Sequence, residues 1–149
     1  MRKFVFSLEP VNRYKLTVEK LQRAELKTAQ EALKLLLLED EALVNAFERA
    51  RDELLGILAD GAPDVNEFLA YDRFFAGVRD ARERLEPRIR RAEDEVTACM
   101  TRLITTMKEL KVYKKLRDAQ YQTYRKEAEA EDEKSIGDLL SFNVISDSA

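Results

Sequence analysis

Residues 60 to 64 read Asp60-Gly61-Ala62-Pro63-Asp64, and this short stretch decides how the chain folds. Gly61 can end a helix in a left-handed conformation, and a proline two residues later cannot continue one. Asp64, with Glu67 three residues on, has the pattern of a residue that caps the start of a helix. The stretch therefore predicts a turn at residues 60 to 63 between two antiparallel helices.

Upstream of this turn, apolar residues recur at alternating steps of three and four, with one polar interruption at Asp40. The positions are Leu26, Ala29, Leu33, Leu36, Asp40, Leu43, Phe47, Ala50, Leu54 and Ile57. This spacing is a heptad seam, typical of a coiled coil. A second stripe at Val11, Tyr14, Val18 and Leu21 is offset by four residues, which predicts local unwinding of the supercoil. We expect helix 1 to run from about residue 10 to residue 59.

Downstream of the turn, two further stripes predict a second and longer helix. The first contains Tyr71, Phe74, Val78, Ala81 and Leu85, and the second contains Ile89, Ala92, Val96, Cys99, Leu103, Thr106, Leu110 and Tyr113. Pro87 lies between them and predicts a kink, because proline lacks an N–H and crowds the preceding turn. Helix 2 should span about residues 64 to 134, with Gly137 as the stop. Residues 137 to 149 are then a flexible tail or a peptide that docks on a partner.

The expected fold is all-α, a single coiled-coil domain over residues 1–149 that forms a long antiparallel two-helix hairpin. The 149 residues include only 4 Gly, 3 Pro and no Trp, too few turn formers for a multilayer domain. Facing residues should have numbers that add up to about 123, so helix 2 overhangs helix 1 beyond residue 115. Phe4, Phe6 and Leu8 alternate with polar residues and could lie along this overhang.

The composition excludes most enzyme chemistry. With no His and one Cys, the chain cannot build a histidine-based zinc site, a Cys–His nucleophile pair or an internal disulfide. It has no glycine-rich phosphate loop, and paired helix carboxylates without a cleft do not make general acids. We therefore expect a protein that is not an enzyme, with no catalytic residue, no metal site and no cofactor. Cys99 occupies a seam position and is expected to be a small core residue.

The charge pattern bears on the partners. Residues 108 to 126 carry seven basic and two acidic side chains, whereas residues 36 to 72 carry ten acids and only Arg49 and Arg51. This polarity indicates either two different partners or simply the solvated faces of a coiled coil. A sequence pI of about 5.3 argues against nucleic-acid binding. No apolar run approaches the length of a membrane span, and no signal peptide is visible, so we expect no membrane insertion and a cytoplasmic location.

Aromatic residues are concentrated just after the turn, in the segment Phe68-Leu69-Ala70-Tyr71-Asp72-Arg73-Phe74-Phe75. One helical seam cannot bury all of them. Two interpretations remain open. Phe68, Tyr71 and Phe75 close the hairpin tip over Leu54, Ile57 and Leu58, or the segment is a surface for a partner.

The N-terminal pattern Lys3-Phe4-x-Phe6-x-Leu8-x-x-Val11-x-Arg13 resembles the opening of the flagellar export protein FliJ family. The segment from Phe68 to Arg84 is similar to the family's aromatic stretch after the hairpin tip. Tyr124-Arg125-Lys126-Glu127 is similar to its C-terminal region. The resemblance implies a stalk-like, non-catalytic coiled coil that acts in type III protein export for flagellum biogenesis, at the cytoplasmic face of the basal body.

The resemblance also implies partners and contact residues. It implies binding to the hexameric flagellum-specific export ATPase, promotion of its assembly and activity, and contact with a membrane export-gate subunit, with export chaperones as further partners. For the ATPase we expect Phe4, Phe6, Arg13, Lys111, Lys115, Arg117 and Tyr121. For the export gate the family's positions fall on Phe74, Val78, Ala81 and Leu85, a stripe that an intramolecular seam would also show. The alternative function is a generic coiled-coil scaffold or an export-substrate chaperone.

Overall fold

The computed structural model describes residues 2–147 and contains two helices, α1 (Glu9–Asp60) and α2 (Val65–Asp147). They have 52 and 83 residues, and no strand occurs within the described range. The all-α class and the longer second helix are thus confirmed. Within that range the contacts group into two compact units, unit 1 (residues 2–20 and 104–147) and unit 2 (residues 21–103). The sequence-based expectation of a single domain stays a prediction.

The turn of unit 2 lies where the sequence predicts it. Helix α1 ends at Asp60, and Gly61 has a φ of +143°, which a residue with a side chain rarely adopts. Helix α2 begins at Val65, and the Asp64 carbonyl accepts its first helical hydrogen bond from the Phe68 N–H at 2.9 Å. Asp64 therefore stands at the N-cap position, as its spacing from Glu67 indicated.

Within unit 2 the two helices pack antiparallel. Arg82 donates to both carboxylate oxygens of Asp40, at 2.8 and 3.4 Å, and the rings of Phe47 and Phe75 lie 4.8 Å apart. The residue numbers of both pairs add up to 122, close to the expected register. The polar interruption of the heptad is therefore an ion pair across the seam.

In one turn of α2, the residue that packs in this seam is not the one that the predicted stripe contains. Phe75 is half-buried against Phe47, whereas Phe74 is 43% exposed. Counting back from Val78, a step of four gives Phe74 and a step of three gives Phe75, and both satisfy the heptad. Phe47 provides the contact that selects Phe75. The other buried side chains of this unit are Ala29, Ala50, Val78, Leu85, Cys99 and Leu103.

Helix α2 passes through Pro87 without a break. The carbonyl of Pro87 accepts a hydrogen bond from Arg91 Nε at 3.3 Å. Leu85 on one side is buried and Ile89 on the other is half-buried, so packing holds both flanks of the proline. The expected continuity of the helix is confirmed, and the kink stays a prediction.

Unit 1 corrects the predicted seam at the start of α1. Val11 and Tyr14 were expected at the seam, but both are exposed, Tyr14 by 66%. Val18 is half-buried, as its place in the stripe predicts. Asn12 and Lys15 are half-buried in place of Val11 and Tyr14, and Lys15 forms an ion pair with Glu109 at 2.5 Å. A polar side chain with a partner can occupy a two-helix seam, because its charged end still reaches water. An apolar stripe alone therefore did not identify the packed face.

The end of α2 also differs from prediction. Instead of stopping near residue 134, the helix continues through Gly137 to Asp147. Glycine in a helix costs only about 1 kcal/mol relative to alanine, and no proline follows to end the helix. Residues 137–147 of the expected flexible tail are thus helical, and its last two residues, Ser148 and Ala149, lie outside the described residues.

Candidate functional site

The N-terminal segment of unit 1 docks on α2, as its alternating pattern predicted. The Phe4 ring lies 5.2 Å from that of Tyr121 and 5.5 Å from that of Tyr124, and the Tyr124 hydroxyl donates to the Arg2 carbonyl at 2.6 Å. Phe6 is buried, and Gln120 Nε2 donates to the Ser7 hydroxyl at 3.1 Å. The chain therefore covers part of its own second helix beyond the start of α1. An open groove of about 850 Å³ lies beside residues 2–5.

Next to this contact, unit 1 carries a basic groove, which we define by Leu16, Met107, Lys111, Lys114 and Arg117. One acidic residue, Glu19, also lines it. The groove is open to solvent and has a volume of about 370 Å³. No carboxylate of residues 2–147 lies within ion-pair distance of its three cations. Unpaired cations beside exposed apolar carbon suit an acidic partner surface, since the charges direct the approach and the apolar area adds affinity.

The structure brings together most of the residues predicted to contact the ATPase. Lys111 and Arg117 line the basic groove, and Lys115 is exposed on the same helix. Tyr121 is partly exposed, and its ring contacts that of Phe4. Phe6 is buried, so it helps to hold the N-terminal segment on α2 and offers little surface to a partner. Arg13 is exposed and forms an ion pair with Glu9 on its own helix at 3.3 Å.

Unit 2 contains a second candidate surface, which we call the aromatic cleft and define by Ala46, Ala50, Ala70, Tyr71 and Phe74. Its volume is about 410 Å³. The three alanines leave room beside the exposed ring of Phe74, because each ends at Cβ. Sequence reasoning assigned Ala50 to the heptad seam and Ala70 to the aromatic segment, and it missed Ala46, although its spacing of four residues from Ala50 places both on one helix face.

The polar edge of the cleft is held by one hydrogen bond. The Tyr71 hydroxyl donates to Glu53 at 3.4 Å. Burial raises the pKa of Tyr71, and the negative charge of Glu53 raises it further. Tyr71 therefore stays a neutral donor at physiological pH, and its ring forms a fixed wall of the cleft.

The four residues predicted to contact the export gate occupy different environments. Phe74 is exposed at the cleft and Ala81 is half-buried. Val78 and Leu85 are 6% and 3% exposed and belong to the core of unit 2. Of the four side chains, Phe74 is the one that offers substantial surface to a partner.

The two interpretations of the aromatic segment each describe part of it. Tyr71 and Phe75 pack inward, with ring centroids 6.3 Å apart. Phe68, Phe74 and Leu58 remain exposed. The aromatic segment thus contributes to the core through one face and leaves apolar surface near the turn through the other.

Cys99 is buried in the core of unit 2, as its seam position indicated. Its thiol donates to Glu95 at 3.4 Å, and Arg102 donates to its sulfur at 3.2 Å. Burial is the main cause that raises the pKa of this thiol, and Glu95 adds to the effect. A buried, protonated thiol is a packing residue and a poor nucleophile.

Two features are absent from the part of the chain that the structure describes. In residues 2–147 no three His, Cys, Asp or Glu side chains are grouped so that they could hold a metal ion. Neither α1 nor the described part of α2 combines the length and apolarity needed to cross a membrane.

Comparison with known proteins gives one match, which covers almost the whole chain. The family model described as flagellar FliJ protein matches residues 7–147. Neither the curated proteins nor the solved structures include a match. The match spans both helices, the basic groove and the aromatic cleft. The chain therefore belongs to the flagellar FliJ protein family, and it is a component of flagellar protein export.

Proposed function

We propose that this protein is a non-catalytic export component that binds the hexameric export ATPase through unit 1 and contacts a membrane export-gate subunit through the aromatic cleft of unit 2. By binding, it promotes assembly and activity of the ATPase at the cytoplasmic face of the flagellar basal body. Export chaperones are further candidate partners. Membership of the family supports the role in export, and the two surfaces support the assignment of the contacts.

The basic groove is the observation that carries the ATPase contact. Lys111, Lys114 and Arg117 have no carboxylate partner among residues 2–147, so they remain available for the carboxylates of another protein. Arginine can bind such a group through two parallel hydrogen bonds. Exposed Tyr121 lies one turn beyond Arg117 on α2, and exposed Lys115 lies one turn beyond Lys111.

The test of this contact is the hydrolysis rate and the oligomeric state of a purified export ATPase, with and without the protein. We expect wild type to raise both, and Lys114→Glu with Arg117→Glu to lose the effect. Lys27→Glu with Lys34→Glu is the matched control, because it changes the net charge equally at two exposed positions of unit 2. Wild-type protein that leaves hydrolysis and assembly unchanged would contradict the proposal and favour the alternative of a scaffold or substrate chaperone.

The export-gate contact is assigned to Phe74, with Ala81 beside it and Val78 and Leu85 supporting the helix from the core. Phe74→Asp should abolish binding of a gate subunit with little change in helix content, because the ring is already 43% exposed. Circular dichroism and a pull-down with the gate subunit measure the two effects. Intact gate binding by the folded variant would contradict the assignment.

A further inference from the structure

One exposed face of α2 in unit 1 is self-complementary. We define this self-docking face by Ile104, Lys111, Lys115, Glu129, Glu133 and Leu140, all of which are exposed. At 100° per residue, these six positions fall within about 40° of one another around the helix. Apolar Ile104 and Leu140 form the two ends of the face. The two lysines follow Ile104 in the sequence, and the two glutamates precede Leu140.

The remaining contacts of unit 1 leave this face open. Within unit 1, the positions of α2 that are buried or half-buried are Thr106, Glu109, Leu110, Tyr113, Gln120, Tyr124 and Ala128. They lie at least about 120° around the helix from the centre of the self-docking face. The docked N-terminal segment uses this other side, where Tyr124 contacts Arg2 and Phe4. A partner can therefore reach the self-docking face without displacing the N-terminal segment or α1.

An antiparallel copy of the same helix matches every element of the face. Lys111 then faces Glu133 of the second copy, Lys115 faces Glu129, and Ile104 faces Leu140. The residue numbers of each pair add up to 244, so a single twofold axis near Gln122 relates all of them. A parallel copy would instead place lysine against lysine and glutamate against glutamate, which is repulsive.

The charges on this face are also available. Lys111, Lys115 and Glu133 have no ion-pair partner within residues 2–147. Glu129 pairs with Arg125 on its own helix at 3.3 Å, and both side chains are more than half exposed. Such an exposed pair contributes little to stability, so Glu129 can exchange partners at low cost.

From this pattern we propose that two copies of the chain associate through antiparallel packing of their α2 helices along the self-docking face. The dimer goes beyond the export role and does not depend on it. One consequence rests on the proposed function: Lys111 and Lys115 also belong to the surface assigned to the ATPase, so the dimer and the ATPase compete for them.

Sedimentation of the full chain at concentrations from about 1 µM to about 1 mM tests the dimer. We expect a monomer–dimer equilibrium that weakens as salt is added. Lys111→Glu with Lys115→Glu should raise the dimer Kd by about 30-fold or more, because four attractive pairs become repulsive. Glu129→Lys with Glu133→Lys should do the same. The control Lys27→Glu with Lys34→Glu should leave the Kd within about twofold.

Charge-swapped chains make the test specific for the antiparallel arrangement. A chain that carries all four substitutions has complementary charges again, and should dimerise like wild type. An equimolar mixture of the two double variants should form heterodimers, because every lysine then meets a glutamate. Helix content measured on each variant excludes misfolding as the cause of a lost dimer.

The position of the twofold axis is tested separately. A Gln122→Cys variant should cross-link to itself through a short bismaleimide, while Gln30→Cys in unit 2 should not. Cys99 stays unreactive because it is buried. Four results would overturn the proposal: a monomer throughout the concentration range, equal weakening by the control, no rescue in the four-substitution chain, or a dimer insensitive to both charge variants. The last result would assign association to another surface.

Discussion

The choice of Phe75 over Phe74 as the seam residue makes the strongest prediction about stability. The Phe75 ring lies 4.8 Å from that of Phe47 and is half-buried, whereas Phe74 is 43% exposed and borders the aromatic cleft. Replacing a fully buried phenylalanine by alanine costs about 3–5 kcal/mol. Half burial reduces the expected cost of Phe75→Ala to about 2 kcal/mol, and Phe74→Ala should cost less than about 1 kcal/mol.

Thermal unfolding followed by circular dichroism measures both variants. For a chain of this size, about 2 kcal/mol corresponds to a fall in Tm of roughly 4–8 °C. A double-mutant cycle with Phe47→Ala should give a coupling of about 1 kcal/mol with Phe75, and much less with Phe74. Equal loss of stability in the two single variants, or a stronger coupling of Phe47 to Phe74, would refute the assignment of the seam.

Three other features give predictions. Gly137→Ala should stabilise the end of α2 by about 0.5–1 kcal/mol and raise helix content, because the added Cβ would meet nothing within 4 Å beyond the adjacent residues and the local helix backbone, whereas Gly61→Ala should destabilise the turn. Tyr124→Phe should release the Arg2 carbonyl and speed hydrogen exchange at residues 2–6, measured by mass spectrometry; unchanged exchange would mean that the hydrogen bond is dispensable. Because burial raises the pKa of Cys99, stability should fall as pH rises above about 8.5, where the unfolded thiol ionises first, and Tm measured against pH should fall less in Cys99→Ala.

Part of the candidate site could be predicted from the sequence. The basic residues of α2 and the docking of Phe4 on the second helix followed from charge counts and from alternation. The aromatic cleft could not be predicted, because it depends on Ala46 and Ala50 of one helix facing Tyr71 of the other. Likewise, the stripe from Phe74 to Leu85 did not show which of its members are core residues. That distinction requires knowing which side of each helix meets its neighbour.

The two helices, the turn at Gly61 and the antiparallel register follow from the amino-acid sequence alone. These features depend on local backbone preferences and on heptad spacing over many residues, which leave few alternatives. Packing between the helices, in contrast, selects between faces that local spacing allows equally: Phe75 rather than Phe74, and Lys15 rather than Tyr14. Spacing cannot make this choice, because a step of three and a step of four are both compatible with a helix. A particular contact across the seam, such as Phe47 on Phe75 or Glu109 on Lys15, supplies the free energy that selects one of them.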